Sequence, residues 1–489
     1  MGDSERIVIP YLGRERGGSG RLRGLRLLHT HRGSTPLTQE DLMDLIFLRL
    51  DCITLLTVKK GGEPHRFQWA YILPSNLNQK PYFICSPLPW DKVNINISAT
   101  INALEEELGK GISPDPSPSE REKALLISVS TSPHHLQEKS LEELQELART
   151  AGVEVVGSLI QRVNKKNPQY ILGKGKLAEL EVMCLQRGAN ILIFDGELSP
   201  SQINNLAKIT ERKILDRTQL ILDIFAQHAK SRAGKYQVEL AQLEYTLPRL
   251  VGKNRAMSRL SGGIGGRGPG ETKLEMDRRK IRERKARLKR ELLRIRRQRE
   301  HTRVRRKKAG IPVVALVGYT NVGKSTLLNS LTNSSIYTAD KLFATLDPTS
   351  RRIRFPDERE IILTDTVGFI RFLPQKLKET FMATLEELYS AEVIVHVADA
   401  SHREVEIQIE AVEQILEEME LNGRPSILVL NKWDKTPPTT RHLMLNRYPH
   451  AVPVSAITKE GLNLLVEKIS SKLPPVQGYF REKREMVLT

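Results

Sequence analysis

Cysteine is scarce in this chain of 489 residues, which contains only Cys52, Cys85 and Cys184. Their wide spacing matches no zinc-ligand pattern and predicts no disulfide framework. Few, scattered thiols are typical of a protein in a reducing compartment. The chain also lacks an apolar run approaching the ~18 residues of a membrane span, and its N-terminus lacks the apolar centre of a signal peptide. We therefore expect a cytoplasmic protein without a membrane span.

Acidic residues are in deficit, with 58 against 76 basic residues, and the formal net charge is +18. Most of the excess lies in residues 276–308, where 18 lysines and arginines accompany four acidic residues, for a net charge of +14. Charge concentrated in this way predicts binding to a polyanion, most simply a nucleic acid. The alternative is a solvated helix face, although such a face would carry charges of both signs.

Residues 313–325, VVALVGYTNVGKS, combine an apolar run with a glycine-rich loop. The run is typical of a buried parallel strand, and a helical pattern follows the loop. Strand, loop and helix in this order predict a phosphate-binding loop, in which glycines let backbone N–H groups approach phosphate oxygens. We expect Lys324 to contact the β- and γ-phosphates and the Ser325 hydroxyl to ligate Mg²⁺. A chance glycine turn is the alternative.

Three downstream positions are predicted to act at the phosphate end of the same site. Thr345, in FATLDPT, would close over the γ-phosphate and Mg²⁺. After a predicted strand at Ile361–Leu363, Asp365 would bind Mg²⁺ through water, and the N–H of Gly368 would contact the γ-phosphate. The predicted Mg²⁺ ligands are thus Ser325, Thr345 and Asp365, and the predicted catalytic residues are Lys324, Thr345 and Gly368.

The base end of the site is predicted from the ends of two further strands. Ile427–Leu430 leads into NKWD, and a buried Asp434 carboxylate there would accept hydrogen bonds from N1–H and the 2-amino group of guanine. Adenine lacks those donors, so we expect the site to reject ATP. After Val452–Val454, the backbone of Ser455 and Ala456 would meet guanine O6. The full predicted nucleotide site comprises Gly318, Tyr319, Thr320, Asn321, Val322, Gly323, Lys324, Ser325, Thr326, Phe343, Ala344, Thr345, Asp365, Thr366, Val367, Gly368, Asn431, Lys432, Asp434, Ser455 and Ala456.

Two positions in this region bear on the rate of hydrolysis. Phe369 follows Gly368, where many regulatory GTPases carry a glutamine that orients the attacking water. A phenyl ring cannot bond that water, so we expect slow turnover alone and a catalytic contact supplied by a partner or another local group. Asn321, within the loop, suggests a monovalent cation such as K⁺ beside the phosphates.

A helical arm is predicted before the nucleotide-binding region. Leucines recur at helical spacing in Tyr236–Leu250, and a seven-residue apolar repeat runs from Leu274 to Ile295. These periods predict two antiparallel helices that pack along a narrow apolar seam. Outside that seam, the second helix is basic. The tip between them, Ser258–Glu271, has six glycines and cannot pack a core. The predicted RNA-binding residues in and before this tip are Lys253, Arg255, Arg259 and Arg267; a floppy connector is the alternative.

The region between residues 120 and 222 predicts a small parallel α/β domain, because strand and helix patterns alternate. We expect strands at Ala124–Val129, Val153–Val163 and Ile191–Phe194, with helices at Ser140–Thr150 and Leu177–Arg187. For LGKGK, a plain turn is a simpler interpretation than a nucleotide-binding loop. Asp195 has no evident partner, and we expect a loop or capping carboxylate.

The first ~116 residues predict an α+β region to which no chemistry can be assigned. Thr38 and Asp41 have the spacing of a helix cap. His29 and His31 flank a threonine, but they have no evident acidic or cysteine partner, so metal ligation is not expected. GISPDPSPS, at 111–119, is a linker by composition.

The motifs GYTNVGKS, LFATLDPT, DTVGFI and NKWD, with YILGKGK, LPRLVG and SGGIGGRGPGETKLE, resemble the HflX family of translational GTPases from about Lys123 to near Leu473. The resemblance implies GTP hydrolysis with Mg²⁺, binding to the large ribosomal subunit, and ribosome splitting under stress. It also implies that the tip reaches toward the peptidyl-transferase region, with Arg259 and Arg267 on ribosomal RNA. The N-terminal ~120 residues exceed the family's common core, and the tail is too short for the extra C-terminal domain of some relatives.

The expected fold is thus α/β: a P-loop GTPase domain, preceded by a small parallel α/β domain and a long antiparallel helical hairpin, plus the N-terminal α+β region. The expected divisions are 1–116, 120–222, 223–308, 309–475 and 476–489. We expect a monomer that binds GTP or GDP and associates with ribosomes. Two alternatives remain: a GTPase of large-subunit assembly, and an RNA-binding protein with a vestigial nucleotide site.

Overall fold

The computed structural model describes residues 22–74, 81–109, 122–210, 212–250, 273–332, 342–343, 349–355, 359–370, 377 and 388–474. Its internal contacts divide the chain into two units, Met1–Arg217 and Thr218–Thr489. The mixed α/β fold class predicted from the sequence is confirmed. Within the described ranges, every helix is too short or too polar to cross a bilayer.

The first unit begins with a five-stranded mixed sheet. Its order is β1-β2-β3-β4, with β5 beside β3; β1 and β2 are parallel and the other pairs antiparallel. Thr38 starts the first helix through a capping box with Asp41, as predicted. The elements are β1 Arg26–Arg32, α1 Gln39–Phe47, β2 Cys52–Val58, β3 Pro64–Ile72, β4 Tyr82–Ile84, β5 Leu88–Pro89 and α2 Ile97–Gly109.

A second, all-parallel sheet completes the first unit in the order β7-β6-β8-β9. Helix α4 joins the two sheets because it is apolar on two faces: Val182 and Leu185 lie in the core of the mixed sheet, whereas Leu177 and Leu180 lie in the core of the parallel sheet. The elements are β6 Lys123–Ser130, α3 His134–Thr150, β7 Glu154–Arg162, α4 Lys174–Arg187, β8 Ile191–Phe194, α5 Pro200–Ile209 and β9 Lys213–Asp216.

In the described part of the second unit, three helices precede a six-stranded sheet that has helices of its own. The three helices are α6 Arg217–His228, which starts at the unit boundary, α7 Arg232–Thr246 and α8 Lys273–Lys308. α8 is continuous over 36 residues, or about 54 Å at ~1.5 Å per residue. It packs on α7, where Leu288 is fully buried and Arg284 makes a two-pronged ion pair with Glu239 at 2.6 and 2.8 Å.

The six-stranded sheet has the order β11-β12-β10-β13-β14-β15, and only β11 is antiparallel to its neighbour. Parallel strands end at one edge, so the loops after β10, β12 and β14 meet there. The elements are β10 Val313–Gly318, α9 Lys324–Thr332, β11 Thr349–Arg354, β12 Glu360–Asp365, β13 Val393–Asp399, α10 Val405–Glu418, β14 Ser426–Asn431, α11 Pro438–Arg447, β15 Val452–Pro453 and α12 Leu462–Lys472.

Two predicted helix starts are wrong. α3 begins at His134 rather than Ser140, because Pro133 occupies the N-cap position with an extended backbone and the helix forms directly after it. α4 begins at Lys174, with Gly173 as its N-cap, so LGKGK is a helix start and not a plain turn.

Three side chains predicted to lack partners lie beside groups of opposite charge. Asp195 forms an ion pair with Arg217, whose Nη1 lies 2.8 Å from the carboxylate, because β8 and β9 are neighbours and end side by side. His29 lies 3.3 Å from Asp41 and His31 lies 3.7 Å from it. The turn after β1 returns the chain so that the first turn of α1 faces the strand.

Candidate nucleotide site

The glycine-rich loop connects β10, whose six residues are all buried, to α9. Two of its glycines cannot be replaced without strain. A Cβ on Gly318 would fall on the carbonyl oxygen of Val397, and a Cβ on Gly323 would lie 2.5 Å from Asn431 Nδ2, at a φ of +88°. The backbone therefore passes so close to its neighbours that only glycine fits.

Lys324, the first residue of α9, lies under this loop and is 6% exposed. Its Nζ donates to the carbonyl oxygens of Gly318 and Tyr319, at 3.1 and 2.8 Å. Burial lowers the pKa of Lys324 to about 8, although the nearby Asp365 carboxylate opposes the shift. The positive charge of this buried ammonium is only partly balanced by a nearby carboxylate. Such a group binds the negative charge of a polyphosphate strongly. Thr320 adds a buried hydroxyl with no hydrogen-bond partner among the described residues.

Ser325 and Asp365 lie together although they belong to α9 and β12. The Ser325 hydroxyl donates to Asp365 Oδ2 at 2.6 Å, and Asp365 is 1% exposed. A hydroxyl and a carboxylate are the hard oxygen ligands that Mg²⁺ prefers, and Mg²⁺ commonly takes few protein ligands beside phosphate oxygens. The pair therefore fits a nucleotide-bound Mg²⁺. The third predicted ligand, Thr345, lies outside the described residues, as does Ala344.

The segment after β12 is hydrogen-bonded to the glycine-rich loop. Thr320 N–H donates to the Phe369 carbonyl at 2.8 Å, and Phe369 N–H donates to the Gly318 carbonyl at 3.1 Å. Gly368 sits so close that a Cβ there would lie 2.8 Å from Thr320 Cα and 3.0 Å from Lys324 Nζ. Gly368 is thus beside Lys324. Both residues are predicted to contact the γ-phosphate, so their closeness agrees with a shared phosphate position.

Phe369 is 5% exposed, so its ring is packed into the protein. The Thr366 hydroxyl, three residues earlier, already has a hydrogen-bond acceptor, because it donates to the Leu316 carbonyl at 2.7 Å. The predicted residue Phe343 is buried too, and its ring meets that of Phe225 edge-on at 4.7 Å.

The NKWD turn after β14 is tied to the glycine-rich loop by Asn431. Its Nδ2 donates to the Val322 carbonyl at 2.8 Å, and its Oδ1 accepts from Ala456 N–H at 3.1 Å. Asn431 therefore joins three loops. The Ser455 hydroxyl donates to Asp434 Oδ1 at 2.7 Å, which orients that carboxylate.

The prediction that Asp434 is buried is wrong, because the residue is exposed. It lies on the short 3₁₀ turn Trp433–Lys435, which projects beyond the end of β14. Trp433 is the buried member of that turn. The carboxylate is thus accessible to a ligand from solvent.

Sequence reasoning missed β13 and the two polar residues on it. Asp399, at its end, pairs with Lys432 Nζ at 2.7 Å. His396 is buried, and burial, together with the positive charge of Lys324, lowers the pKa of His396 to about 4. Both lie in the apolar run VIVHVAD, whose final aspartate was the available signal for a strand ending at the site.

The basic helix α8 reaches the nucleotide-binding part of the second unit. Its C-terminal half forms one wall of a cleft with Ser350 of β11, lined by Ile295, Gln298, Arg299, Thr302, Arg303 and Arg306. The Ser350 and Thr364 hydroxyls are 3.0 Å apart, and Thr364 directly precedes Asp365. The predicted RNA-binding residues Lys253, Arg255, Arg259 and Arg267 lie outside the described part of the chain.

A buried lysine under a glycine-rich loop and an Asn-x-x-Asp turn at the same sheet edge define a P-loop GTP hydrolase. Residues 138–226, 228–306 and 313–432 match the family models described as GTP-binding GTPase N-terminal, GTP-binding GTPase middle region and 50S ribosome-binding GTPase. Over 354 residues the chain is 48% identical to GTPase HflX of Caldanaerobacter subterraneus subsp. tengcongensis, covering 72% of this chain and 81% of that protein. The chain belongs to the HflX family of GTPases.

The chain is also similar to a second GTPase HflX and to a solved structure. GTPase HflX of Escherichia coli K12 is 43% identical over 378 residues, covering 74% of this chain and 88% of that protein. A GTP-binding protein of Sulfolobus solfataricus, solved in complex with GDP, is 26% identical and covers 72% of this chain and 98% of its own, with a TM-score of 0.40.

Proposed function

We propose that this GTPase binds the large ribosomal subunit and splits ribosomes in a GTP-dependent reaction. The observation that carries the proposal is the long basic helix α8, with a net charge of +14 over residues 276–308, lying beside the nucleotide domain. A rigid rod with this charge fits the phosphate backbone of ribosomal RNA. The family model matched by residues 313–432 is described as a 50S ribosome-binding GTPase, which supports the choice of partner.

Through the cleft between α8 and β11, a movement at the nucleotide site could reach the basic helix. Thr345, which we propose closes over the γ-phosphate, lies shortly before β11. Ser350 on that strand contacts both the α8 cleft and Thr364, next to Asp365. A shift of Thr345 or Asp365 on hydrolysis would therefore move the strand against which the basic helix lies. We propose β11 as the two-state element that a GTP switch requires.

The chain's own groups account for the phosphate chemistry. Lys324 neutralises the β- and γ-phosphates. Ser325, Thr345 and, through water, Asp365 would hold Mg²⁺, which would supply charge neutralisation at the phosphates when bound. Gly368 N–H contacts the γ-phosphate. The buried Phe369 ring offers no hydrogen bond to the attacking water, so turnover is slow until another local group or the ribosome supplies one.

Asn321 supports a monovalent-cation site beside the phosphates. Its φ of 61° lies in the left-handed region, which asparagine tolerates better than most non-glycine residues, and its side-chain amide offers an oxygen that could ligate a cation. We propose K⁺ as the ion. Hydrolysis should be faster in potassium than in sodium at equal ionic strength, and Asn321→Ala should remove the difference; equal rates in wild type would remove the proposal.

For the ribosomal RNA contact we propose Lys253, Arg255, Arg259 and Arg267, on a tip between α7 and α8. We accordingly propose 223–308 as the RNA-binding arm, between an HflX-type subdomain at 120–222 and a GTPase domain at 309–475. Removing tip arginines should lower the salt dependence of binding in proportion to the number of phosphates that those arginines neutralise.

The test is incubation of the full chain with intact ribosomes and GTP, followed by sedimentation. Free subunits are expected with wild type and with Lys472→Ala, an exposed lysine at the end of α12 in the same domain. Lys324→Ala should leave ribosomes intact. If Lys324→Ala splits ribosomes as well as wild type, the nucleotide site is vestigial and the protein acts as an RNA-binding protein.

The second candidate is a GTPase of large-subunit assembly, which the same basic helix would serve. It predicts binding to immature large-subunit particles and no splitting of intact ribosomes. The sedimentation experiment, repeated with immature particles, separates the two functions.

A further inference from the structure

Two histidines and an aspartate converge on the first sheet, far along the chain from the GTPase motifs. His29 and His31 are two residues apart on β1, so their side chains point to the same face of the strand. Asp41 lies in the first turn of α1. One nitrogen from each ring and one Asp41 oxygen all lie within 4.8 Å of one another.

The spacing of these atoms suits a small cation. Ligands bound tetrahedrally at ~2.0–2.1 Å from zinc are separated by about 3.4 Å. His29 Nε2 lies 3.3 Å from Asp41 Oδ1, and His31 Nε2 lies 3.7 Å from Asp41 Oδ2. The ring centroids are 4.9 Å apart and the ring planes cross at 68°, so the rings do not stack on one another. Only small side-chain rotations are needed to bring three ligand atoms around one ion.

Neighbouring groups already hold two of the three side chains in a ligating orientation. The Thr35 carbonyl lies 3.3 Å from His31 Nδ1, which leaves the Nε2 of that ring for a metal. The Thr38 backbone N–H and hydroxyl both donate to Asp41 Oδ2 at 2.7 Å, so Oδ1 faces His29. Hydrogen bonds of this kind, from backbone and side chain to the outer atoms of ligands, are what orients residues in metal sites.

His29 is the most buried ring of the cluster, and its polar neighbours do not satisfy it well. Its side chain is 7% exposed, and Asp41 and the Thr54 backbone lie beside the ring, but neither ring nitrogen makes a hydrogen bond of good geometry among the described residues. Buried polar atoms in proteins are almost always satisfied, because an unpaired one costs about 1–3 kcal/mol.

We propose that His29, His31 and Asp41 form a binding site for one Zn²⁺ ion, with at least one coordination position left for water or another ligand. Two imidazoles and a carboxylate are a borderline donor set that favours zinc over hard cations such as Mg²⁺ and Ca²⁺, which prefer oxygen alone. Since His31 and Asp41 are 21% and 15% exposed, the open position faces solvent. The ion would also fasten the edge strand β1 to the start of α1.

The site is independent of the nucleotide chemistry, so its test does not depend on GTP hydrolysis. Full-length protein purified without a histidine tag is stripped with chelator, dialysed, and titrated with Zn²⁺ by calorimetry in the presence of excess Mg²⁺. The compared variants are His31→Ala, Asp41→Asn and, as a matched control, His134→Ala. His134 is an exposed histidine of the same unit that pairs with Glu138 at 3.2 Å, outside the cluster.

Wild type and His134→Ala are expected to bind one Zn²⁺ per chain with equal affinity, and His31→Ala and Asp41→Asn at least about tenfold more weakly. Asp41→Asn keeps an oxygen acceptor for the Thr38 donors, so α1 retains its cap, and unchanged circular dichroism verifies the fold. Equal zinc affinity in wild type and His31→Ala would overturn the proposal.

Cobalt provides a second readout that identifies the ligand atoms. Co²⁺ in the wild-type site should show visible d–d bands without the near-ultraviolet charge-transfer band of thiolate ligation, and His31→Ala should lose them. A thiolate band would assign the metal to Cys52, Cys85 or Cys184 instead and would overturn the proposal. Tighter binding of Mg²⁺ than of Zn²⁺ would overturn it equally.

Discussion

Raising the pH should weaken nucleotide binding, and the loss of the proton from Lys324 should account for a defined part of that effect. In the folded protein without nucleotide, burial lowers the pKa of this lysine to about 8, from 10.5. Phosphate oxygens beside the ammonium would favour its charged form and raise that pKa when nucleotide binds. Binding therefore takes up a proton above pH ~8, and affinity must fall as the pH rises through that value.

The magnitude follows from the fraction of Lys324 that is protonated before binding. With a free pKa of about 8 and a much higher bound pKa, the dissociation constant for GDP should increase about fourfold between pH 7 and pH 8.5. That increase corresponds to roughly 0.8 kcal/mol. It is small because the lysine is still about one-quarter protonated at the upper pH.

The assay is fluorescence titration with a labelled GDP at constant ionic strength, for wild type and Lys324→Arg. Arginine stays charged throughout this range, so the variant binds more weakly but reports only the titration of the nucleotide and of other groups. The ratio of the two dissociation constants isolates Lys324. If that ratio is constant from pH 7 to pH 8.5, the reasoning about the buried lysine is refuted.

Three substitutions test other parts of the structure. Asp434→Asn should weaken GTP binding and improve binding of xanthosine triphosphate, whose hydrogen-bond polarity is reversed at that edge; unchanged preference would refute base reading by Asp434. Gly323→Ala should reduce GDP affinity at least about tenfold, since its Cβ would lie 2.5 Å from Asn431 Nδ2 at a φ costing ~1–2 kcal/mol, whereas Gly423→Ala, with open space around it, should bind normally. Leu288→Ala should lower the unfolding free energy by about 2–5 kcal/mol, against little change for the 52% exposed Leu293 on the same helix, measured by urea denaturation.

The glycine-rich loop could be predicted because its chemistry is local. Strand, glycines, Lys324 and Ser325 follow one another directly, and the period of apolar residues places the loop at a strand end. The same holds for Asp365 and Asn431, each of which ends a buried strand. Local spacing fixes such positions whatever the rest of the chain does.

Contacts between distant segments could not be predicted in this way. Asn431 meets Val322 across 109 residues of chain, and Asp434 is exposed because of how a 3₁₀ turn projects, which no periodicity encodes. The pairing of Asp195 with Arg217 depends on the order of strands in a sheet. The histidine cluster was missed for another reason: Asp41 signals a helix cap, and the second role of its carboxylate emerges only when α1 packs beside β1.

The central claim is that one guanine-nucleotide site controls the grip of a basic arm on ribosomal RNA. The most direct test is the rate of GTP hydrolysis by the full chain, measured alone and with purified large ribosomal subunits. We expect slow hydrolysis alone and a marked acceleration by large subunits, which disappears in high salt as the charges of the arm and of the RNA phosphates are screened from one another. An identical rate with and without large subunits, at low salt and saturating GTP, would contradict the account.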